Sequence, residues 1–401
     1  MKNIEVELAI ETILKSVEEI KDIEILNTEN SLARILAEDI FAPMDNPPFD
    51  KSPLDGFAIK GEDSKEASLE NPISFSIIDR VNAGQTSKKA LGKYQAIRIM
   101  TGAKMPEGSN CVVRLEDTLE NEGKILIDKP IKAYSNYCYA GEDIKSKDLL
   151  IKKNTKLNPI HLGVLSSMGI QKLRVFRKPL VGVLVTGDEV TRIGDVLEDG
   201  KIYDSNEMLL TSRLKELGVN YIRLDKQKDD ARDVSRSIES SIGSLDLLIT
   251  TGGVSVGDKD IFHEVVEILN ARQLFWRVKL KPGTPLMYSI YKDKPILSLS
   301  GNPFAALATF ELFVRPLIGK LSNDPKLKTK RLKAKLLSDF DKVSKNRRFI
   351  RAIYEDGSVN LPRGGHASGM LLSMVDCNAL IDIEAGNQGI KSGDLVEVIL
   401  L

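Results

Sequence analysis

The chain has 401 residues, with 42% hydrophobic and 28% charged residues, which at roughly 150 residues per domain suggests about three domains of a soluble globular protein. Lys plus Arg and Asp plus Glu each number 57, so the formal net charge is zero; no global field exists to hold nucleic acid or an anionic membrane, and any anion site must be local. Cys111, Cys138 and Cys377 are scattered without a C-x-x-C pair, which excludes a disulfide framework or thiolate zinc site and suits a reducing cytosol.

The N-terminal "MKNIEVELAIETILKSVEEI" places Ile4, Leu8, Ile13, Val17 and Ile20 among acids at helical spacing. It reads as an amphipathic helix, without the basic start and continuous apolar run of a signal peptide. From about 70 to 150, short alternating segments such as "ISFSII", "QAIRIM" and "KILIDKP" mark a β-rich module. Residues 155 to 177 predict a helix starting near Pro159 and stopping around Gly169, then a short strand. This segment reads as a connector returning the chain to the N-terminal helix. His161, His263 and His366 are dispersed, and no pair has metal-ligand spacing.

Between about 178 and 320 the rhythm becomes strand then helix. "PLVGVLVT" is a continuous apolar run, as in a strand buried on both faces, and "SNEMLLTSRLKELG" follows as an amphipathic helix closed by Gly218. The alternation continues through "NYIRLD", a helix near 230 to 242, "LDLLIT", a helix at 260 to 270, strands near 274 to 280 and 295 to 299, and the helix "PFAALATFELFVRPL". Such alternation predicts a doubly wound, mostly parallel α/β sheet. After about 328 short strands return, predicting a small all-β domain. No stretch is long and apolar enough for a transmembrane helix.

The strand at 245 to 250 ends in Thr250, Thr251, Gly252 and Gly253. In open parallel sheets ligands sit beyond the carboxyl ends of the strands, where glycines let backbone N–H groups approach an anion such as phosphate. Asp258 and Asp260 follow, "TGDE" puts Asp188 and Glu189 at another strand end, and "KPGTP" and "SGNP" supply further strand-end loops, with Lys279 and Lys281 beside the first. Like charges about 4 Å apart repel by about 4 kcal/mol at an effective dielectric of about 20, so carboxylates beside a phosphate call for a cation. Magnesium binds through one or two carboxylates plus substrate phosphates and fits that need. Taken singly, Asp258 and Asp260 suit a helix cap equally well, Glu189 a solvated position, and the lysines plain surface charge.

The order "SPLDGFA" (52 to 58), "TGAKMPEGSNCVV" (101 to 113), "GED" (141 to 143), "TGDE" (186 to 189), "TTGGVSVGDKD" (250 to 260), "KPGTP" (281 to 285) and "SGNP" (300 to 303) resembles the molybdopterin molybdenumtransferase family. This is the MoeA and gephyrin E-domain type. "TTGGVSVG" alone is shared with molybdopterin adenylyltransferases, whereas "DGFA" and "TGA" separate the two. The resemblance implies a helical connector at 1–45 and 141–177, a β-rich module at 46–140, an α/β molybdopterin-binding domain at 178–327 and a C-terminal β-barrel at 328–401. It also implies a cytoplasmic homodimer in which the β module contributes to the site across the dimer. The implied reaction inserts molybdate into adenylylated molybdopterin with Mg²⁺-dependent release of AMP. Molybdopterin adenylyltransferase and molybdoenzyme-maturation proteins are the implied partners, with no nucleic acid and no membrane.

Carried over residue by residue, the resemblance implies catalytic roles for Asp55, Thr101, Asp143, Glu189 and Lys281, and magnesium ligands at Asp188, Glu189 and Asp258. Substrate contacts are implied at Thr186, Gly187 and Asp188, at Thr251, Gly252, Gly253, Ser255 and Gly257, and at Lys279 and Pro282. Ser300, Gly301, Asn302 and Pro303 complete that set, with Arg351 and Ser368 at positions associated with molybdate. The pattern departs from the family at Pro53, at Thr284 where a second lysine is usual, and at Ser300, Phe304 and Ala305, where a ring is expected near the substrate end and a hydroxyl is lost. Two other readings compete: an adenylyltransferase acting one step earlier, and a non-catalytic molybdopterin-binding scaffold.

Overall fold

A computed structural model describes residues 1–254 and 261–401. Two compact units emerge, one of Met1–Ile25, Ala33–Ala37 and Arg174–Leu401, the other of Leu26–Leu32 and Glu38–Leu173.

In the first unit the apolar runs Leu180–Val185 and Leu247–Thr251 are covered on both faces and pair in parallel near the middle of a seven-stranded sheet. The order from one edge is Lys2–Ile4, Arg272–Val278, Met287–Tyr291, Lys294–Leu299, Leu247–Thr251, Leu180–Val185, Asn220–Arg223. Only the pairings of Met287–Tyr291 are antiparallel. That strand was not anticipated from the sequence. It forms a hairpin with Lys294–Leu299 through Lys292 and Asp293, both at positive φ (49° and 61°), a turn usually announced by Asn-Gly or Asp-Gly. Alternate strand residues face two cores: Val181, Val183, Leu247 and Ile249 pack with Leu210, Leu214, Phe304 and Phe310 on one face, Leu184 and Leu248 with Val234, Ile238, Phe262 and Val265 on the other. Helices therefore cover both faces, as the alternation predicted.

The N-terminal segment corrects one expectation. Residues 1–25 belong with the α/β sheet rather than with a separate connector spanning 1–45. Lys2–Ile4 adds a parallel edge strand to Arg272–Val278, and the helix Val6–Lys15 buries Val6, Ala9 and Ile13 in the same core as Phe310 and Leu317. Helical periodicity reveals an apolar face but not its receiving surface.

The predicted last helix of the α/β region is interrupted. Pro303–Thr309 and Arg315–Leu321 are α-helical, and Phe310–Val314 between them winds as a π-helix. This turn holds the fully buried Glu311 between Arg213 (2.6 Å) and Arg315 (2.9 Å), and Arg315 also donates to the Leu400 carbonyl at 3.1 Å. Lys330–Leu336, Arg347–Glu355, Ser358–Asn360, Ala379–Ile383 and Leu395–Leu400 close into a five-stranded barrel. Leu280–Lys281, from the α/β region, pairs alongside Arg347 and Arg348.

The second unit carries a six-stranded sheet in the order Cys111–Arg114, Gly56–Ile59, Gln95–Ile99, Ile73–Val81, Lys124–Ile127, Leu119–Asn121. Apolar clusters around Phe57, Phe75 and Ile125 and around Ala58, Ile97 and Val112 are built from alternate residues of these strands. The predicted helix spans Pro159–Ser167. Asn158 caps it by accepting from the His161 N–H at 2.9 Å, while His161 Nδ1 accepts from the Asn158 N–H at 3.2 Å, so His161 is a capping residue. No helix among the described residues is long and apolar enough to cross a membrane.

Candidate active site at the strand-end loops

Three adjacent parallel strands, Leu180–Val185, Leu247–Thr251 and Lys294–Leu299, end at one sheet edge. Their loops pack so closely that glycine is required. Gly252 and Gly253 have φ of +91° and +66°, and a Cβ on Gly252 would lie 2.1 Å from the Thr186 carbonyl oxygen, inside any tolerated contact. Gly301 approaches the Gly252 Cα, which would be 3.6 Å from an added Cβ. Glu189 folds back so that its carboxylate would stand 3.0 Å from a Cβ on Gly187.

Thr251 is fully buried; its hydroxyl donates to the Ser300 carbonyl at 3.2 Å. The Asn302 N–H donates to Ser300 Oγ at 3.3 Å. Pro303 opens the following helix. Gly283, after Lys281 and Pro282, packs on that helix, where an added Cβ would meet Thr309 at 2.4 Å. The Phe304 N–H donates to the Ser368 carbonyl at 3.0 Å, so the barrel loop containing Ser368 lies against the start of the same helix. The structure therefore brings together Thr186, Gly187, Asp188, Glu189, Thr251, Gly252, Gly253 and Ser300 to Pro303, with Pro282 and Ser368 adjoining.

Asp229, which sequence reasoning missed, joins the acids. Its N–H donates to Asp188 Oδ1 at 3.4 Å. Burial, then the charges of Glu189 and Asp188, raise its pKa above the usual carboxylate value, with the Asp188 backbone N–H the larger opposing influence. Asp229 Oδ1 is buried without a hydrogen-bond partner. Gln227 N–H donates to the Val185 carbonyl at 3.1 Å, so "KDD" is the far end of a strand-like segment beside Leu180–Val185. The acid pair following "NYIRLD" is the signal that could have revealed it. Asn206, also missed, reaches the same edge from the start of the helix Asn206–Glu216. Among the described residues no three Asp, Glu, His or Cys side chains form a metal-holding group. Ser255, Gly257, Asp258 and Asp260 lie outside the described residues.

Other expected residues stand elsewhere. Lys279 reaches Glu5 at 2.6 Å in a half-exposed ion pair at the start of the N-terminal helix, rather than the glycine loops. Lys281 is exposed on the short strand beside the barrel, and the Thr284 hydroxyl closes that turn by donating to the Leu280 carbonyl at 2.5 Å. Phe304 is 3% exposed, with the Arg351 guanidinium 4.0 Å from its ring centre. Arg351 is 1% exposed and spends its donors on the Met370 and Ala367 carbonyls (2.6 Å to the latter) and on Ser373 at 2.7 Å. Burial lowers its pKa. It thus organises the loop that carries Ser368.

The second unit holds its own pair. One oxygen of Asp55 accepts from the Thr101 N–H at 2.6 Å and hydroxyl at 2.7 Å. These bonds hold its pKa below the usual value, with Arg98 adding a smaller pull. Asp143 accepts from the Asn46 amide at 3.1 Å.

A glycine-lined sheet edge with clustered acids belongs to the class of open α/β domains whose ligand site lies beyond the carboxyl ends of parallel strands. Family models locate it more narrowly: MoeA N-terminal region (domain I and II) matches residues 4–169, the probable molybdopterin binding domain 182–320, and MoeA C-terminal region (domain IV) 333–401. The chain is 40% identical over 400 residues to a molybdopterin molybdenumtransferase of Staphylococcus epidermidis, covering 99% of this chain and 95% of that one. It is 39% identical over 375 residues to one of Staphylococcus aureus, covering 93% and 90%. A solved molybdopterin biosynthesis MoeA protein of Pyrococcus horikoshii superposes with a TM-score of 0.88 at 32% identity, over 99% of each chain. The chain belongs to the MoeA family.

Proposed function

We propose that this protein is a molybdopterin molybdenumtransferase, which inserts molybdenum into molybdopterin during molybdenum cofactor biosynthesis, and that its working substrate is adenylylated molybdopterin, with molybdate as second substrate and AMP released. The observation carrying the reading is the Gly252–Gly253 turn pressed against Thr186 beside Asp188, Glu189 and Asp229. Partly accessible glycine backbone at that turn suits a diphosphate, and acids that repel one another suit a shared cation. Asp188, Glu189, Asp229 and, from the sequence, Asp258 carry the hard oxygen donors that Mg²⁺ takes; the described acids make no preformed ion-holding group, so the diphosphate oxygens would complete the shell of an ion that neutralises them.

The chain's own groups have narrower tasks. Glycine loops admit the diphosphate without side-chain obstruction. Lys281 and the Ser368 loop, stiffened by Arg351, hold the tetrahedral oxyanion. Asp55 and Thr101 form a preoriented pair required for turnover, and Asp143 supports it. The protein works as a cytoplasmic homodimer that receives substrate from an adenylyltransferase.

Incubating the pure protein with adenylylated molybdopterin, Mg²⁺ and either molybdate or tungstate, and following AMP by chromatography, tests the reading. Oxyanion-dependent AMP release is the expected result. ATP consumption with free molybdopterin would establish the adenylyltransferase alternative; tight substrate binding without AMP release would establish the scaffold.

A further inference from the structure

We propose that Asn206 is a positioning residue for the substrate site, bracing two glycine loops at a fixed spacing and fixing the direction of the Thr251 hydroxyl. The inference deepens the transferase reading and rests on it only for the choice of substrate.

Asn206 opens the helix Asn206–Glu216 and is 7% exposed. Its Nδ2 donates to Thr251 Oγ1 at 3.0 Å and to the Gly301 carbonyl at 2.7 Å. Because a carbonyl can only accept, the second contact fixes which end of the amide is nitrogen. Both Nδ2 protons are then used. Thr251 Oγ1 accepts from Asn206, leaving its own proton for the Ser300 carbonyl at 3.2 Å.

One side chain thereby joins the end of Leu247–Thr251 to the loop after Lys294–Leu299. Gly252 and Gly301 face each other there without side chains of their own, so the spacing of these backbones depends on the brace. Asn206 Oδ1 is buried without a hydrogen-bond partner. A residue selected only to fill space would not leave a buried acceptor unmet, since an unsatisfied polar atom is costly. Its amide nitrogen makes the brace, and the unmet oxygen is the cost of that geometry.

Steady-state kinetics of Asn206→Leu, Thr251→Val and Thr251→Ser, with the Asn206→Leu/Thr251→Val double variant, test this. Asn206→Leu and Thr251→Val are each expected to raise KM for adenylylated molybdopterin by about tenfold, with kcat and KM for molybdate changed by no more than about twofold. Thr251→Ser should keep most of the affinity that Thr251→Val loses. The double variant should be no worse than either single one, because both cut the same chain of bonds. Circular dichroism and thermal unfolding identify variants that fail to fold, whose kcat would fall with KM unchanged. Wild-type KM in folded Asn206→Leu, or multiplied losses in the double variant, would overturn the brace. If the wild type shows no turnover, the transferase reading fails. Calorimetric Kd values for molybdopterin on the same variants would still decide the present claim.

Discussion

Two carboxylates in this protein are shifted in opposite directions. Asp55 lies exposed in the second unit, and Thr101 supplies two donors to a single oxygen, favouring the charged form. Asp229 lies at the α/β sheet edge with Glu189 and Asp188 nearby, and burial and repulsion favour its protonated form. At Asp55 the chain completes its own anion. At the sheet edge the described residues set acids close enough to raise one another's cost of ionisation, the opposite arrangement.

The largest expected effect removes the space on which the acidic edge depends. Gly252→Ala should destabilise the fold by about 2 kcal/mol or more and abolish turnover by at least about 100-fold, because its Cβ meets the Thr186 carbonyl. Chemical denaturation and AMP release would measure both, and a stable, active variant would show that the turn is not the binding edge. Glu189→Gln should slow turnover by about 100-fold without lowering the unfolding midpoint, since it also relieves repulsion on Asp229. Equal rates at saturating Mg²⁺ would remove Glu189 from the reaction.

The acid pair separates most cleanly by pH. With its pKa raised on folding, Asp229 contributes stability that is fully present below its unfolded value and lost as pH rises through the folded value. Asp229→Asn should therefore stabilise the ligand-free protein at pH 7, by less than about 1 kcal/mol given solvent screening. Asp55, with its pKa lowered, contributes stability that is present above its unfolded value and lost as pH falls through the folded one. Thr101→Val should weaken that acid-side dependence, with Thr101→Ser restoring it. Unfolding midpoints between pH 3 and 7 would register all three variants. Smallest of all, Lys279→Ala should change stability by about 0.5 kcal/mol or less and turnover by less than about twofold, since its partner is the exposed Glu5.

The sequence made the sheet edge legible because apolar runs ending in glycine and acid report directly on strand termini. It failed where information is carried by folding rather than by spacing. Asp229 belongs to the site through a strand-like extension after Arg223, and Asn206 through a helix start that reaches across two loops. The Lys279–Glu5 pair is not legible either, because position along a strand does not say what a neighbouring helix offers. The position of Phe304 in the family pattern likewise says nothing of the buried guanidinium that covers its face. In the second unit the family resemblance singles out Asp55 and Thr101, but their mutual contact shows only in the fold, since an Asp-Gly turn carries no reach of its own.

Leu280–Lys281 leaves the α/β region to lie against Arg347 and Arg348 of the C-terminal barrel. That lodger makes the barrel a poor candidate for removal: truncating the chain after residue 327 would strip this strand of its neighbour and leave unpaired backbone next to Lys281. Domain shuffling that treats residues 328–401 as a detachable cartridge would thus disturb the α/β half as well. A workable recombination boundary must carry Leu280–Lys281 along with the barrel that receives it.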